Sequence, residues 1–199
     1  MNTAFSAENP LPLLSEETPV LMNEADFLRL SEADDDNRYE YIQGSVFILA
    51  AASFRHEAIT ANIISELAQI TDESPCQVLA SHRKVMFFAE ELYFNPDAVV
   101  ECPADEDADI PLNVSLVVEV LSPSTVLKDV TFKLPLYMQM PTLQDILYVS
   151  AERVSVLHYY RVTNEWKCRS ATNLNDELEL LSINGMLKVG RIYHKIRWE

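Results

Sequence analysis

Two carboxylates sit in runs that carboxylates usually avoid. Asp97 follows Asn95-Pro96 and leads into Ala98-Val99-Val100; Glu119 lies inside Leu116-Val117-Val118-Glu119-Val120-Leu121, ahead of Ser122-Pro123-Ser124. Burying an unpaired charge is costly, so acids in such surroundings need partners. Two of them on neighbouring strands can share a divalent cation, for which hard oxygen ligands are the natural choice. Magnesium, or manganese in its place, would keep several waters on such a pair. It would lower the pKa of one water and stabilise charge on a phosphate oxygen. A lysine beside the pair can orient or deprotonate the attacking water and offset phosphate charge. Lys133 is the candidate, since it follows Glu119 on the succeeding helix pattern with Asp129 and Tyr137 four residues to either side. Glu40, from an earlier hairpin pattern, is the fourth acid that could complete the site.

Each residue also has a plainer reading. An aspartate after proline is good turn chemistry, which would account for Asp97. Glu119 could be held in a structural salt bridge to Lys133 or Arg38. Lys133 could be an exposed helix residue, although apolar Val126 and Val130 share its face; Glu40, between Tyr39 and Tyr41, could face solvent. His56 reads first as a helix N-terminal residue and second as an imidazole within reach of a phosphate. His82-Arg83-Lys84 is a small basic cluster that solvation explains as well as phosphate contact does. His158 and His194 have no partner visible in the sequence, and Tyr159-Tyr160 and Trp166 fit hairpin packing.

The elements that must position these groups follow from periodicity and punctuation. Residues 1–19 carry Pro10, Pro12 and Pro19 and read as a flexible arm; residues 20–199 read as a single domain. Asn23 is a helix N-cap with Asp26 three positions on, and Asp34-Asp35-Asp36-Asn37 ends that helix. Tyr39–Ile42 and Ser45–Leu49 flank Gln43-Gly44 as a hairpin. Ile59, Ile63, Ile64, Leu67 and Ile70 mark a helix from His56 to about Thr71, stopped by Ser74-Pro75. Gln77–Ala80, Lys84–Phe88, Leu92–Asn95 and Asp97–Val100 are short strand candidates, Glu101–Pro111 an acidic surface loop, and Val114–Leu121 a buried central strand. Thr125–Gln139 is a helix in which Pro135 should cause a kink or a local loss of pairing. Asp145–Ser150 is a strand, Val154–Val162 and Glu165–Ser170 form a second hairpin, and Glu177–Leu181 is extended; Gly185–Glu199 has no clear pattern. The order implies a mixed α/β, or α+β, fold with a central sheet.

Bulk properties narrow the classes. The net charge is -16 over 199 residues, which argues against a protein that coats nucleic acid but leaves room for a nuclease with basic residues gathered at one cleft. Cys76, Cys102 and Cys168 are an odd, widely spaced set without a CxxC pair, so reduced thiols are expected rather than disulfides or a zinc site. Met1–Pro19 lacks the regions of a signal peptide and no apolar run approaches membrane-spanning length, so a cytoplasmic protein with no membrane partner is expected.

The chain resembles the Uma-type putative restriction endonuclease family, within the PD-(D/E)XK nuclease superfamily. The resemblance is carried by Arg38-Tyr39-Glu40-Tyr41-Ile42-Gln43-Gly44, Phe54-Arg55-His56, Asn95-Pro96-Asp97, Val117-Val118-Glu119-Val120-Leu121-Ser122-Pro123-Ser124, then Asp129, Lys133, Tyr137 and Asp145-Ile146-Leu147-Tyr148-Val149. It implies a restriction-endonuclease-like core, a central mixed sheet flanked by helices, with added hairpins. Asp97 would be the aspartate of the Pro-Asp motif and Glu119 the second acid, together holding magnesium; Glu40 would be the N-terminal acid. The superfamily's lysine stands two residues after the second acid, where this chain has Leu121, so the lysine would come from the following helix as Lys133. The implied activity is metal-dependent hydrolysis of phosphodiester bonds, in DNA by expectation, by a possible homodimer. The competing expectation is a catalytically inactive nuclease-fold protein serving as a binding or assembly module.

Overall fold

Asn23 caps the first helix as its type suggests, its Oδ1 accepting the Asp26 N–H at 2.9 Å. The computed structural model describes residues 19–34, 37–49, 51–80, 84–87, 92–105, 107, 110–111, 113–122 and 129–198. The N-terminal arm up to residue 18, His82, Arg83 and Val126 therefore lie outside the described residues. In chain order the elements are β1 (Val20–Leu21), α1 (Glu24–Ala33), β2 (Tyr39–Ile42), β3 (Ser45–Ile48), α2 (Phe54–Thr71), β4 (Gln77–Ala80), β5 (Val85–Phe87), β6 (Leu92–Phe94) and β7 (Ala98–Glu101). They continue with β8 (Val114–Leu121), a π-helical turn (Asp129–Lys133), α3 (Leu134–Tyr137), β9 (Asp145–Ser150), β10 (Val156–Val162), β11 (Glu165–Ala171), β12 (Glu177–Leu180), β13 (Gly185–Lys188) and α4 (Val189–Ile192).

These elements form two compact units, Met1–Ala51 with Lys84–Asn95, and Ala52–Arg83 with Pro96–Glu199. Both draw on the stretch 20–199. In the first, five strands run in the order β1-β3-β2-β6-β5. Phe27 of α1 stacks on Tyr41 of β2 at 4.8 Å between ring centroids. The β2–β3 turn has positive φ at both Gln43 (45°) and Gly44 (85°), the twist-matched turn of a two-residue hairpin. Glu40 is fully buried on β2, so the solvent-facing alternative does not hold.

The second unit is built on a six-stranded mixed sheet, β11-β10-β9-β8-β7-β4, in which β8 and β9 are parallel and the other pairs antiparallel. Ile59, Ile63 and Leu67, one stripe of α2, pack with Ala98, Val100, Leu116, Val118 and Val120 in the hydrophobic core. The unpatterned C-terminus supplies β13 and α4, which bring Leu187, Val189 and Ile192 to the same core. The result is a mixed α+β fold with a central mixed sheet flanked by helices.

Three expectations are corrected. Cys76 and Cys102 are joined by a disulfide rather than left as thiols, and Cys168 is free and exposed. They meet because β4 pairs with β7, Gln77 opposite Glu101, which brings the residues just beyond that pair together. Glu101 is not loop but the buried end of β7, its Oε1 accepting the Asn113 N–H at 3.2 Å. The segment around Lys133 is not one kinked α-helix: a π-helical turn hands over to α3, and Pro135 sits in α3's first turn. Proline has no N–H to give to a carbonyl of the preceding turn, and it stands where the winding changes from π to α. Among the described residues no helix is long and apolar enough to cross a membrane.

Candidate active site

Strand alternation separates the two faces of β8. Val118 and Val120 belong to the core shared with α2, so Glu119 between them points to the opposite face. There it stands beside Tyr148, its register partner on the parallel strand β9. Glu119 Oε1 accepts hydrogen bonds from Lys133 Nζ at 3.1 Å and Tyr137 Oη at 2.6 Å. Lys133 Nζ is also 2.8 Å from Asp129 Oδ1, and Tyr148 Oη donates to the Asp129 carbonyl at 2.8 Å. Glu119, Asp129, Lys133 and Tyr137 are all buried. Two carboxylates thus share one ammonium inside the protein, where an ion pair is stable only if its remaining hydrogen-bonding capacity is met. Burial, and then the charges of Glu119 and Asp129, push the Tyr148 hydroxyl pKa well above the ordinary tyrosine value.

Asp97 immediately precedes β7. Its backbone N–H donates to the Val118 carbonyl at 3.0 Å, and its Oδ2 accepts the Val120 N–H at 2.7 Å. The side chain so continues the ladder where the β7 backbone leaves it, flanking Glu119 on both sides in sequence. Oδ2 is also 3.2 Å from His56 Nε2. His56 lies in the first turn of α2, set there by Ser53, whose hydroxyl accepts the His56 N–H at 3.2 Å.

Of the residues singled out from sequence, Lys133 converges on Glu119, and Asp97 is bonded to the residue after Glu119. Glu40 lies on β2 of the first unit. His56, which the sequence marks first as a helix-terminal residue, is an immediate partner of Asp97; the visible signal is its place just inside a capped helix. Tyr137 stands out in the sequence only as a neighbour of Lys133 and bonds directly to the glutamate. The pairing of Glu119 with Lys133 is also what the structural salt-bridge reading requires.

Among the described residues no group of three or more His, Cys, Asp or Glu side chains is arranged to hold a metal. The donor chemistry of Asp97 and Glu119 nonetheless suits magnesium or manganese, because both offer carboxylate oxygens and a hard cation satisfies the rest of its shell with water. Zinc, which favours His and Cys, is poorly served by this pair.

Comparison with known proteins bears on the arrangement. The Uma2 family model, described as "Putative restriction endonuclease", matches residues 24–188. Uncharacterized protein slr1290 of Synechocystis sp. is 31% identical over 193 residues, covering 96% of each chain. Uncharacterized protein sll1609 of the same organism is 29% identical over 167 residues, 81% of this chain and 94% of that one. Among solved structures, a putative nuclease belonging to DUF820 from Anabaena variabilis ATCC 29413 superposes with a TM-score of 0.70 at 17% identity, over 86% of this chain and 97% of that one. At that identity the likeness is one of fold.

Proposed function

Because the chain belongs to the Uma2 family, described as "Putative restriction endonuclease", we propose that it is a metal-dependent endonuclease that hydrolyses phosphodiester bonds in DNA. The observation that carries the reading is Lys133 Nζ at 3.1 Å from Glu119, a lysine delivered to the second acid by a separate element although Leu121 stands at the usual lysine position. Asp97 and Glu119 would hold the ion. When bound, magnesium supplies positive charge to the scissile phosphate and makes a water more acidic.

The protein's own groups do the positioning. Lys133 directs its ammonium at the phosphate and at the attacking water, which enters in line as the bond from phosphorus to the leaving oxygen breaks. Tyr137 and Asp129 fix Lys133 and Glu119 relative to one another, so their geometry is set before substrate arrives. His56 and the Val120 N–H fix Asp97. A homodimer would offer one such site to each strand of a duplex, and sedimentation of the purified protein tests that stoichiometry.

The second reading is a nuclease-fold protein that binds or assembles without cleaving. The same observation favours it, since a buried ion pair closed by Tyr137 is also a complete structural unit. The two separate in one assay: plasmid and single-stranded DNA with Mg²⁺, Mn²⁺ or EDTA, using wild type, Asp97→Ala and Glu119→Ala. Metal-dependent cleavage by wild type alone is expected; equal cleavage by both folded variants overturns the site. Absence of cleavage, together with a melting temperature that metal does not shift, selects the binding module. Glu40→Ala in the same series tests the acid assigned there from sequence.

A further inference from the structure

Basic residues are scarce here, 15 Lys and Arg against 31 Asp and Glu, yet three of them line one groove. The groove, of about 880 Å³, lies between the first turns of α2 and the C-terminal segment, and Arg55, His194, Lys195 and Arg197 are on its walls. Asn62 of α2 holds that segment in place, its Nδ2 donating to the carbonyls of Ile192 at 3.0 Å and His194 at 2.9 Å. Lys195 takes a left-handed backbone conformation, φ 60°, which a non-glycine residue adopts only where its surroundings impose it. Large rings are exposed alongside the cations. Phe54 is 87% exposed, and Trp198 is 37% exposed beneath the Arg55 guanidinium, 5.4 Å from the ring centroid. Glu152 is the acid on the wall, 3.7 Å from Arg55 at an exposed position where screening weakens the pair. Consecutive residues of α2 thus serve the two places: Arg55 lines the groove and His56 touches Asp97.

We propose that this groove binds single-stranded nucleic acid, with phosphates on Arg55, Lys195 and Arg197 and bases stacked on Phe54. Cations spaced along a groove track a phosphate backbone, and exposed rings among them stack on unpaired bases. A duplex hides its base faces, so the Phe54 ring would add nothing to duplex binding. The choice of ligand rests on the nuclease reading, but the groove is tested separately from cleavage.

The test is fluorescence anisotropy in EDTA with a labelled oligothymidylate and a duplex of equal length. Wild type is compared with Phe54→Ala and with the double variant Lys195→Glu, Arg197→Glu. These side chains are exposed, and unchanged melting temperatures verify that the fold survives. The expected result is tighter binding of the single strand, at least about tenfold weaker in the double variant. Its log–log salt slope should fall by about 0.7 for each phosphate that is no longer neutralised. Phe54→Ala should weaken the single strand several-fold and leave the duplex unchanged. No binding by wild type, unaltered binding in the double variant, or a duplex preference indifferent to Phe54 overturns the proposal. Groove-dependent binding without cleavage in any metal upholds the groove and sinks the nuclease reading. Cleavage that both groove variants carry out with unchanged KM does the reverse.

Discussion

Glu119 on β8 and Asp145 on β9 are buried carboxylates on adjacent strands of one sheet, yet their surroundings differ in kind. Asp145 Oδ1 is 2.6 Å from His158 Nε2, and its Oδ2 accepts the Ser182 N–H at 2.6 Å. His158 Nδ1 accepts from Arg169 Nε at 3.1 Å, which leaves the ring proton on Nε2, facing the carboxylate. Arg169 closes the chain on the Glu179 carbonyl at 2.6 Å. Each oxygen of Asp145 has its own donor, and the links join β9, β10, β11 and β12. At Glu119, Lys133 and Tyr137 converge on a single oxygen, and Lys133 is divided between two acids. The Lys133 cluster is also delivered by a π-helical turn, a rare geometry found frequently at functional sites. Burial and pairing are thus common to both carboxylates. They differ in the kind of partner: a histidine and a backbone N–H at Asp145, a lysine and a tyrosine at Glu119.

The largest expected contrast is in activity. Glu119→Gln should lower the rate of plasmid nicking by at least about 1,000-fold, while Asp145→Asn retains the wild-type rate per folded molecule. Equal losses in the two folded variants would erase the distinction. Stability should show the reverse preference. His158→Ala leaves Asp145 buried without its imidazole and should cost about 3–5 kcal/mol in urea unfolding. A loss below about 1 kcal/mol would mean that the Asp145 chain is not a structural link. Tyr137→Phe deletes one hydrogen bond to a charged acceptor, and a loss of about 1.5–3 kcal/mol is expected by the same method.

The smallest effect is alkaline. Tyr148 holds its proton more tightly when folded than the ordinary value of 10.0. Its contribution is therefore complete below that pH and is lost as pH rises above it, by at most about 1.4 kcal/mol per pH unit. Tyr148→Phe should flatten the fall of the urea midpoint above about pH 10. Glu119→Gln should shrink that fall in part, because one of the charges raising the pKa is gone. An alkaline limb unchanged in Tyr148→Phe would exclude Tyr148 as its source.

Local patterns carried much of the fold. Val114–Leu121 and Asp145–Ser150 form strands over the residues their apolar runs mark, and the apolar stripe of α2 is the one that packs. Gln43-Gly44 makes the expected hairpin turn. What stayed hidden was pairing at a distance. The partners Cys76 and Cys102, His56 and Asp97, and Asp145 and His158 are separated in sequence, and each meets only because particular strands and helices lie side by side. The π-helical turn was hidden for another reason: the residues Asp129–Lys133 carry the ordinary spacing of an α-helix, and five residues are too few for a wider winding to leave a pattern of its own.

The sequence by itself determined which faces the candidate groups occupy. Alternation along β8 sets Glu119 opposite Val118 and Val120, and a spacing of four places Lys133 and Tyr137 on one side of their segment. Tertiary structure alone decided what lies across from each face. It laid the Lys133 segment over Glu119, turned Asp97 onto the Val120 N–H, and brought the first turn of α2 to Asp97. Periodicity is a property of a few consecutive residues, whereas the element that covers a face is selected by how the whole sheet buries its apolar surface.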